Sequence, residues 1–371
     1  MIRLSPAGRA DASSLLACVA ILAVGAFAPE HDWLRAARGE ARIGREIGGL
    51  ETRGYYEAII DANRGPAAAP ALDAPPPGWV PFGAAGIVEP SPTYLRWAMR
   101  PNLDVIWNGI PFRTNSRGYR TPEVAIPRPE GVYRVVVFGS SNTMGHGVGD
   151  DEAYPRLIEP WLDRATDPGV RVEVVNLSVS GDSPSRRLAR MTEEAAAYQP
   201  DWILCDASVL DVALEEMHLE AVIRSDPRPE IPPALGYVRE ALDRAMVSPT
   251  DSADVLRKKL QREAGSLLEG AFAGWARIAR ELDTPMTVVV IPRADAKLDN
   301  PALSEFIRAA VRREGLDLLD LGDAFRDLSP EEFRVSPWDK HPSVRGHRAI
   351  FEAFRAAVAE RGTLPGLSLA E

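Results

Sequence analysis

The sequence predicts an α/β fold: a three-layer α/β/α sandwich around a five-stranded parallel sheet. Three observations predict it. Five short apolar segments recur from residue 133 onward, and segments of helical periodicity alternate with them. That alternation implies βαβ units, with helices on both faces of one parallel sheet. The first segment, Val135-Val136-Val137-Phe138, has four apolar residues in a row, as a strand covered on both faces requires.

The elements follow in order along the chain. Arg3 and Arg9 precede an apolar, uncharged run over 12–28. Its length of about seventeen residues is at the low edge for spanning a bilayer. Basic residues on its N-terminal side predict an exported bulk behind a signal-anchor in 1–28. Cleavage of a signal is the alternative, with Ala26-Phe27-Ala28 as the small-residue site, although Pro29 follows directly. Leu15-Leu16-Ala17-Cys18 has the look of a lipoprotein box, yet most of the apolar run comes after the cysteine. Residues 29–78 read as a helical stalk, with Arg and Glu interleaved, ending in a Pro/Ala-rich linker. Residues 79–130 read as a small lead-in subdomain with candidate strands near 94–99 and 104–107. The main domain spans 131–361. Its strands are expected at 133–139, 172–176, 202–206, 286–291 and 316–321. Its helices are expected at 154–165, 186–198, about 255–282, 302–314 and 344–360. Residues 212–250, rich in proline, read as an insertion after a strand end.

Composition narrows the function. The formal net charge of -10 argues against nucleic acid as a partner. The two cysteines, Cys18 and Cys205, lie in unrelated segments and are too few for a four-thiolate metal site. No metal or other cofactor is expected.

The residues that carry chemistry sit at strand ends. Val135–Phe138 stops at Gly139 and releases Ser140-Ser141 into a turn ahead of a helix, at the carboxyl edge where open α/β sheets bind ligands. A serine hydroxyl becomes a nucleophile when a base takes its proton. A histidine can take it and return it, and a carboxylate orients the ring. Ser141, His341 and Asp339 can fill these roles; a helix cap or surface position is the alternative for His341. His347, in the final helix, is expected to be structural.

These residues fall into four blocks: Gly139-Ser140-Ser141-Asn142-Thr143-Met144-Gly145, Asn176-Leu177-Ser178-Val179-Ser180-Gly181, Ser208-Val209-Leu210-Asp211, and Asp339-Lys340-His341-Pro342. In order and spacing the chain resembles the SGNH (GDSL-type) hydrolases over roughly 131–361. The resemblance implies the flavodoxin-like SGNH hydrolase fold, Ser141, Asp339 and His341 as catalytic residues, and the N–H groups of Ser141 and Gly181 as an oxyanion hole. There are three departures. Ser140 replaces an Asp, Leu210 stands where the family has an oxyanion-hole Asn, and Asp339 lies two residues before His341 instead of three. Asn142 and Ser208 are candidate substitutes for the missing amide. Arg117, Arg120 and Arg293 are placed to hold an anionic or sugar substrate, with solvated surface arginines as the alternative, and Asp211 is expected to brace its loop.

The resulting expectation is a membrane-anchored, exported serine esterase acting on small acyl esters, including O-acetyl groups of envelope or extracellular polysaccharide. Acyl transfer through the same serine is one alternative. A non-catalytic binding or scaffolding module is a second, and a flavodoxin-like cofactor protein a distant third.

Overall fold

The computed structural model describes residues 75–166, 169–292 and 300–368. The apolar run, the stalk, most of the linker and Arg293 lie outside these residues. Among the described residues, no helix is long and apolar enough to cross a membrane.

The lead-in holds two antiparallel pairs. β1 (Val88–Pro90) pairs with β2 (Trp97–Met99), and β3 (Asp104–Trp107) pairs with β4 (Ile110–Arg113). The second pair turns on Asn108-Gly109, both at positive φ, the dipeptide that fits a tight turn between twisted strands. Phe82, Tyr94, Trp107, Phe112 and Tyr119 of the lead-in pack into the same buried cluster as Val136 and Phe138 of the main sheet. The lead-in is therefore a wall of the main body.

Strands and helices then alternate. In chain order they are β5 (Val132–Phe138), α1 (Ser141–Met144), α2 (Tyr154–Ala165), β6 (Arg171–Asn176), α3 (Pro184–Tyr198), β7 (Trp202–Ala207), α4 (Asp211–Arg224) and α5 (Gly236–Arg244). There follow α6 (Ala253–Arg262), α7 (Ala264–Glu281), β8 (Met286–Val290), α8 (Pro301–Arg313), β9 (Asp317–Asp320), α9 (Pro330–Phe333) and α10 (Val344–Arg361). A last short pair joins β10 (Thr363–Leu364) to β11 (Leu367–Ser368).

The main sheet has five strands in the order β6-β5-β7-β8-β9, and every pairing in it is parallel. Val135 of β5 faces Val174 on one side and Trp202 on the other. All of β5 is buried, which explains the apolar run Val135–Phe138; Arg134, buried in the same strand, pairs with Glu173 at 2.6 Å. On one face, Val136, Phe138, Ile203 and Val288 lie under α3, α7 and α8 through Leu188, Trp275 and Ile307. On the other, Val135, Val137, Trp202 and Leu204 lie under α2 and α10 through Ile158, Leu162, Phe354 and Val358. Each such side chain contributes about 1.5–3 kcal/mol by leaving water. The chain goes outward from β5 to β6 and then crosses back to β7. The crevice at the carboxyl ends of β5 and β7 is therefore the switch point where such sheets bind ligands.

Two expectations need correction. The single helix expected over 255–282 is two helices, because Glu263 at φ -97 and ψ 0 ends α6. The bend lets α6 lie on α4 while α7 lies on α3. The 212–250 insertion contains most of α4 and all of α5; four of its prolines, Pro227, Pro229, Pro232 and Pro233, occupy the link between them, and Pro249 follows α5.

Candidate active site

The first block turns tightly after β5. A Cβ at Gly139 would lie 2.5 Å from Asp206 Oδ2 and 2.6 Å from Thr143 Cβ. Only glycine leaves room for Asp206, at the end of β7, to reach the turn. Its carboxylate accepts the Ser140 N–H at 3.0 Å and the Thr143 hydroxyl. The carboxylate that braces this turn thus comes from another strand, where the resemblance would put one at position 140. Arg187 pairs with Asp206 at 3.0 Å and with Asp211 at 2.6 Å. Burial alone would favour a neutral Arg187, but the two carboxylates outweigh it and raise its pKa. Asp211 also accepts the Ser208 N–H at 3.0 Å, so it braces its own loop as expected.

The last block is a pinned loop between α9 and α10. Val335 N–H donates to His341 C=O at 2.9 Å, and Ser336 N–H donates to Asp339 C=O at 3.0 Å. Ser343 caps α10 by accepting the Gly346 N–H at 3.2 Å. Within this loop His341 Nδ1 lies 2.7 Å from Asp339 Oδ1, and the His341 backbone N–H donates to the same oxygen at 3.1 Å. A spacing of two residues is therefore enough for the carboxylate to hold the ring.

The two distant segments meet through His146. Its backbone N–H donates to Ser141 C=O at 3.0 Å. Its ring stacks on His341, with centroids 3.7 Å apart and planes 20° from parallel, and its Nε2 faces Asp339 Oδ2 at 3.5 Å. Gly147, at φ +81, adds a second contact: a Cβ there would lie 2.6 Å from Val335 Cγ2. Trp107 and Phe82 of the lead-in close the outer side of His146, with ring centroids at 4.6 and 5.5 Å. Among the described residues the link between the Ser141 and His341 segments is this stack and not a direct Ser141–His341 hydrogen bond. Side chains at the meeting point are almost sealed, with exposures of 1% for Ser141, 2% for His146, 4% for Asp339 and 1% for His341.

Burial sets the charges here. It pushes the His146 pKa down to about 4, and the adjacent His341 adds to the shift. Burial alone would raise Asp339, yet the two imidazoles hold its carboxyl well below the usual range. His347 is also buried; it accepts the Tyr154 N–H on Nδ1 at 3.2 Å, and burial lowers its pKa to about 3. That is the structural position expected of it. His146, Asp339 and His341 offer ligand atoms within 4.8 Å of one another, the spacing of a cation site. Their geometry does not fit one. An imidazole binds a metal in its own plane, with a bond of about 2.1 Å. Two rings stacked 3.7 Å apart direct their lone pairs side by side, so a shared ion would lie far out of both planes.

The second block supplies Gly181, at φ +75. The Trp97 indole N–H donates to Ser180 C=O at 3.2 Å. In a trans peptide the Gly181 N–H then points the opposite way. Arg186 stacks over Trp97 at 3.7 Å and donates to Gly181 C=O at 3.1 Å. In the third block Leu210 is buried and its side chain has no donor to offer. The Ser208 hydroxyl accepts the Leu210 N–H at 3.2 Å. Asn142 lies beside Ser141 on α1, buried. Arg117 and Arg120 are each engaged by protein groups. Arg117 pairs with Glu194 at 3.6 Å, and buried Arg120 binds Asp150 at 2.9 Å and holds the carbonyls of Gly145 and Val148. A cavity of about 410 Å³ lies among Arg228, Ile231, Arg239 and Met246, and none of the site residues lines it.

His146, Trp97 and Asp206 were not singled out from sequence. Only His146 carried a signal, as one of five histidines and set directly after the first block between two glycines.

A sequence model of the GDSL-like Lipase/Acylhydrolase family matches residues 137–349. No curated protein matches the chain. Among solved structures, LAE5, an alpha/beta hydrolase enzyme from the metagenome of Lake Arreo, Spain, is 18% identical, with 61% of this chain and 95% of that one covered and a TM-score of 0.41. Axe2, an acetylxylan esterase from Geobacillus stearothermophilus, is 17% identical, with 61% and 94% covered and a TM-score of 0.39. TesA is 15% identical, with 61% and 98% covered and a TM-score of 0.38. At these identities and scores the likeness bears on nothing beyond the fold.

Proposed function

The chain belongs to the GDSL-like lipase/acylhydrolase family, and from that premise we propose that it is a serine esterase working through an acyl-Ser141 intermediate. The observation that carries the reading is the meeting of the Ser141 and His341 segments at the carboxyl edge of β5, with His341 Nδ1 held by Asp339 at 2.7 Å. With the Nδ1–H engaged, Nε2 keeps its lone pair and is the base. His341 takes the Ser141 proton as Oγ attacks the ester carbonyl. The developing oxyanion is met by the N–H groups of Ser141 and Gly181. The imidazolium returns its proton to the leaving alcohol, which departs and leaves acyl-Ser141. Water then attacks as His341 takes its proton; the imidazolium returns that proton to Ser141 Oγ as the acyl–oxygen bond breaks, releasing the acid and the free serine.

The near-complete burial of the site side chains supports a small acyl group such as acetyl. A sugar hydroxyl in place of the water gives acyl transfer through the same intermediate. Envelope or extracellular polysaccharide is the proposed acceptor class, and it rests on the export predicted for residues 1–28. Carbonate washing of membranes tests that placement: a full-length chain kept in the pellet supports the anchor, and a shortened soluble chain overturns it. Leu210, in place of an amide donor, favours a second reading in which the fold binds esters without cleaving them.

Turnover of p-nitrophenyl acetate by the purified chain tests the proposal. Hydrolysis that disappears in Ser141→Ala with the thermal melt unchanged supports it. Equal turnover by Ser141→Ala overturns it.

A further inference from the structure

We propose that His146 is a positioning residue for the reaction, holding both the carboxylate of Asp339 and the face of the His341 ring. The inference rests on the serine-esterase reading. Its own basis is the environment of one side chain that the four blocks do not assign.

His146 is fixed on every side. Its backbone is tied to Ser141 C=O, Trp107 and Phe82 pack against it, and His341 covers one face at 3.7 Å. The ionisable groups around it are Asp339, His341 and Arg120, and Arg120 is engaged by Asp150 and by backbone carbonyls. With Nε2 facing Asp339 Oδ2 at 3.5 Å, the tautomer that suits the carboxylate carries its proton on Nε2. Nδ1 is then the lone-pair nitrogen, and it is buried without a hydrogen-bond partner among the described residues.

This arrangement divides the two oxygens of Asp339. Oδ1 serves the His341 ring and backbone, while Oδ2 faces His146. The carboxylate therefore cannot rotate without losing one imidazole or the other. When His341 becomes an imidazolium, it has a carboxylate at its edge and a neutral aromatic ring on its face, and both favour the charge. A charged His146 would oppose it; burial keeps His146 neutral, with a pKa of about 4. His146 neither gains nor loses a proton in the cycle, so it acts through Asp339 and His341 and not on the substrate.

The test compares His146→Phe, which keeps a stacked ring without the N–H, and His146→Gln, which keeps a donor without the ring. Both are measured as the full chain on p-nitrophenyl acetate, alongside nuclear magnetic resonance of the His341 Nδ1–H proton. The expected result is a kcat lower by about 10- to 100-fold in His146→Phe, with KM within about twofold and a smaller loss in His146→Gln. The downfield His341 proton moves or broadens in His146→Phe. An unchanged kcat and an unchanged proton overturn the proposal, as does a loss confined to KM. If wild type shows no turnover while the His341 proton still responds to His146→Phe, the esterase reading fails and the positioning role stands. If neither variant folds, the wild-type spectrum decides. A His146 that is protonated at neutral pH, or that carries its proton on Nδ1, overturns the proposal.

Discussion

The indole of Trp97 donates to the carbonyl of Ser180 at 3.2 Å, and this bond joins the lead-in to the peptide whose N–H belongs to Gly181. Because the two ends of a planar peptide are antiparallel, a donor on the carbonyl side fixes where the N–H points and polarises it. Trp97→Phe keeps an aromatic ring for Arg186 to stack on and removes the N–H together with the five-membered ring that carries it. The expected outcome is a kcat on p-nitrophenyl acetate lower by roughly tenfold with KM unchanged, less than the full loss of an oxyanion donor. Steady-state kinetics check it.

Leu210 stands where the resemblance would put a third oxyanion donor. Leu210→Asn is expected to raise kcat by about tenfold or more if the amide reaches the carbonyl oxygen, since one such donor is worth on the order of 100-fold. The same change puts a polar group into a buried cluster and is expected to cost about 1–2 kcal/mol. Kinetics and denaturant melts on the same sample separate the two effects.

Three buried histidines make stability depend on pH. Burial lowers the pKa of His146 to about 4 and of His347 to about 3, and it holds His218 well below the ordinary value. Below about pH 6.5 the unfolded chain binds protons at these sites while the folded chain does not, so stability falls as pH falls. Each site contributes a slope of up to about 1.4 kcal/mol per pH unit until its folded pKa is reached. Asp339 acts in the same direction at lower pH. Its carboxyl is held below the usual range, so its contribution is present above about pH 4 and is lost as the pH falls further. Calorimetry from pH 7 to pH 4 should show a steadily falling Tm, with a shallower slope in His146→Phe.

Arg187 balances two buried carboxylates at the ends of β7 and α4. Arg187→Met leaves Asp206 and Asp211 without their cation and is expected to destabilise the fold by about 3–5 kcal/mol. A urea titration measures the loss. The turn bearing Ser141 hangs on Asp206, so residual folded protein should also turn over slowly.

How much of this was legible from sequence depends on how local each signal is. The five strands could be read because short apolar runs such as Val135–Phe138 need no partner to be recognised. That the Ser141 segment meets Asp339 and His341 could be read because their blocks are short and keep their order. The break at Glu263 could not, because no proline marks it and Gly265 lies already inside the next helix; the faces of α4 and α3 decide it. The Pro227–Pro233 cluster hid α4, which ends just before it. Arg117 and Arg120 were misplaced because a basic turn looks alike whether it faces substrate or, as here, Glu194 and Asp150. His146 was missed because a histidine between two glycines reads as loop, and its meaning comes from a ring in a distant part of the chain.

The most direct test of the central claim is the mass of the intact chain after exposure to a fluorophosphonate. Wild type should gain one phosphonyl group on Ser141. Ser141→Ala should gain none, and His341→Ala should react far more slowly although its fold is intact. A wild-type chain that stays unlabelled while folded, or that labels equally well without His341, would contradict the account.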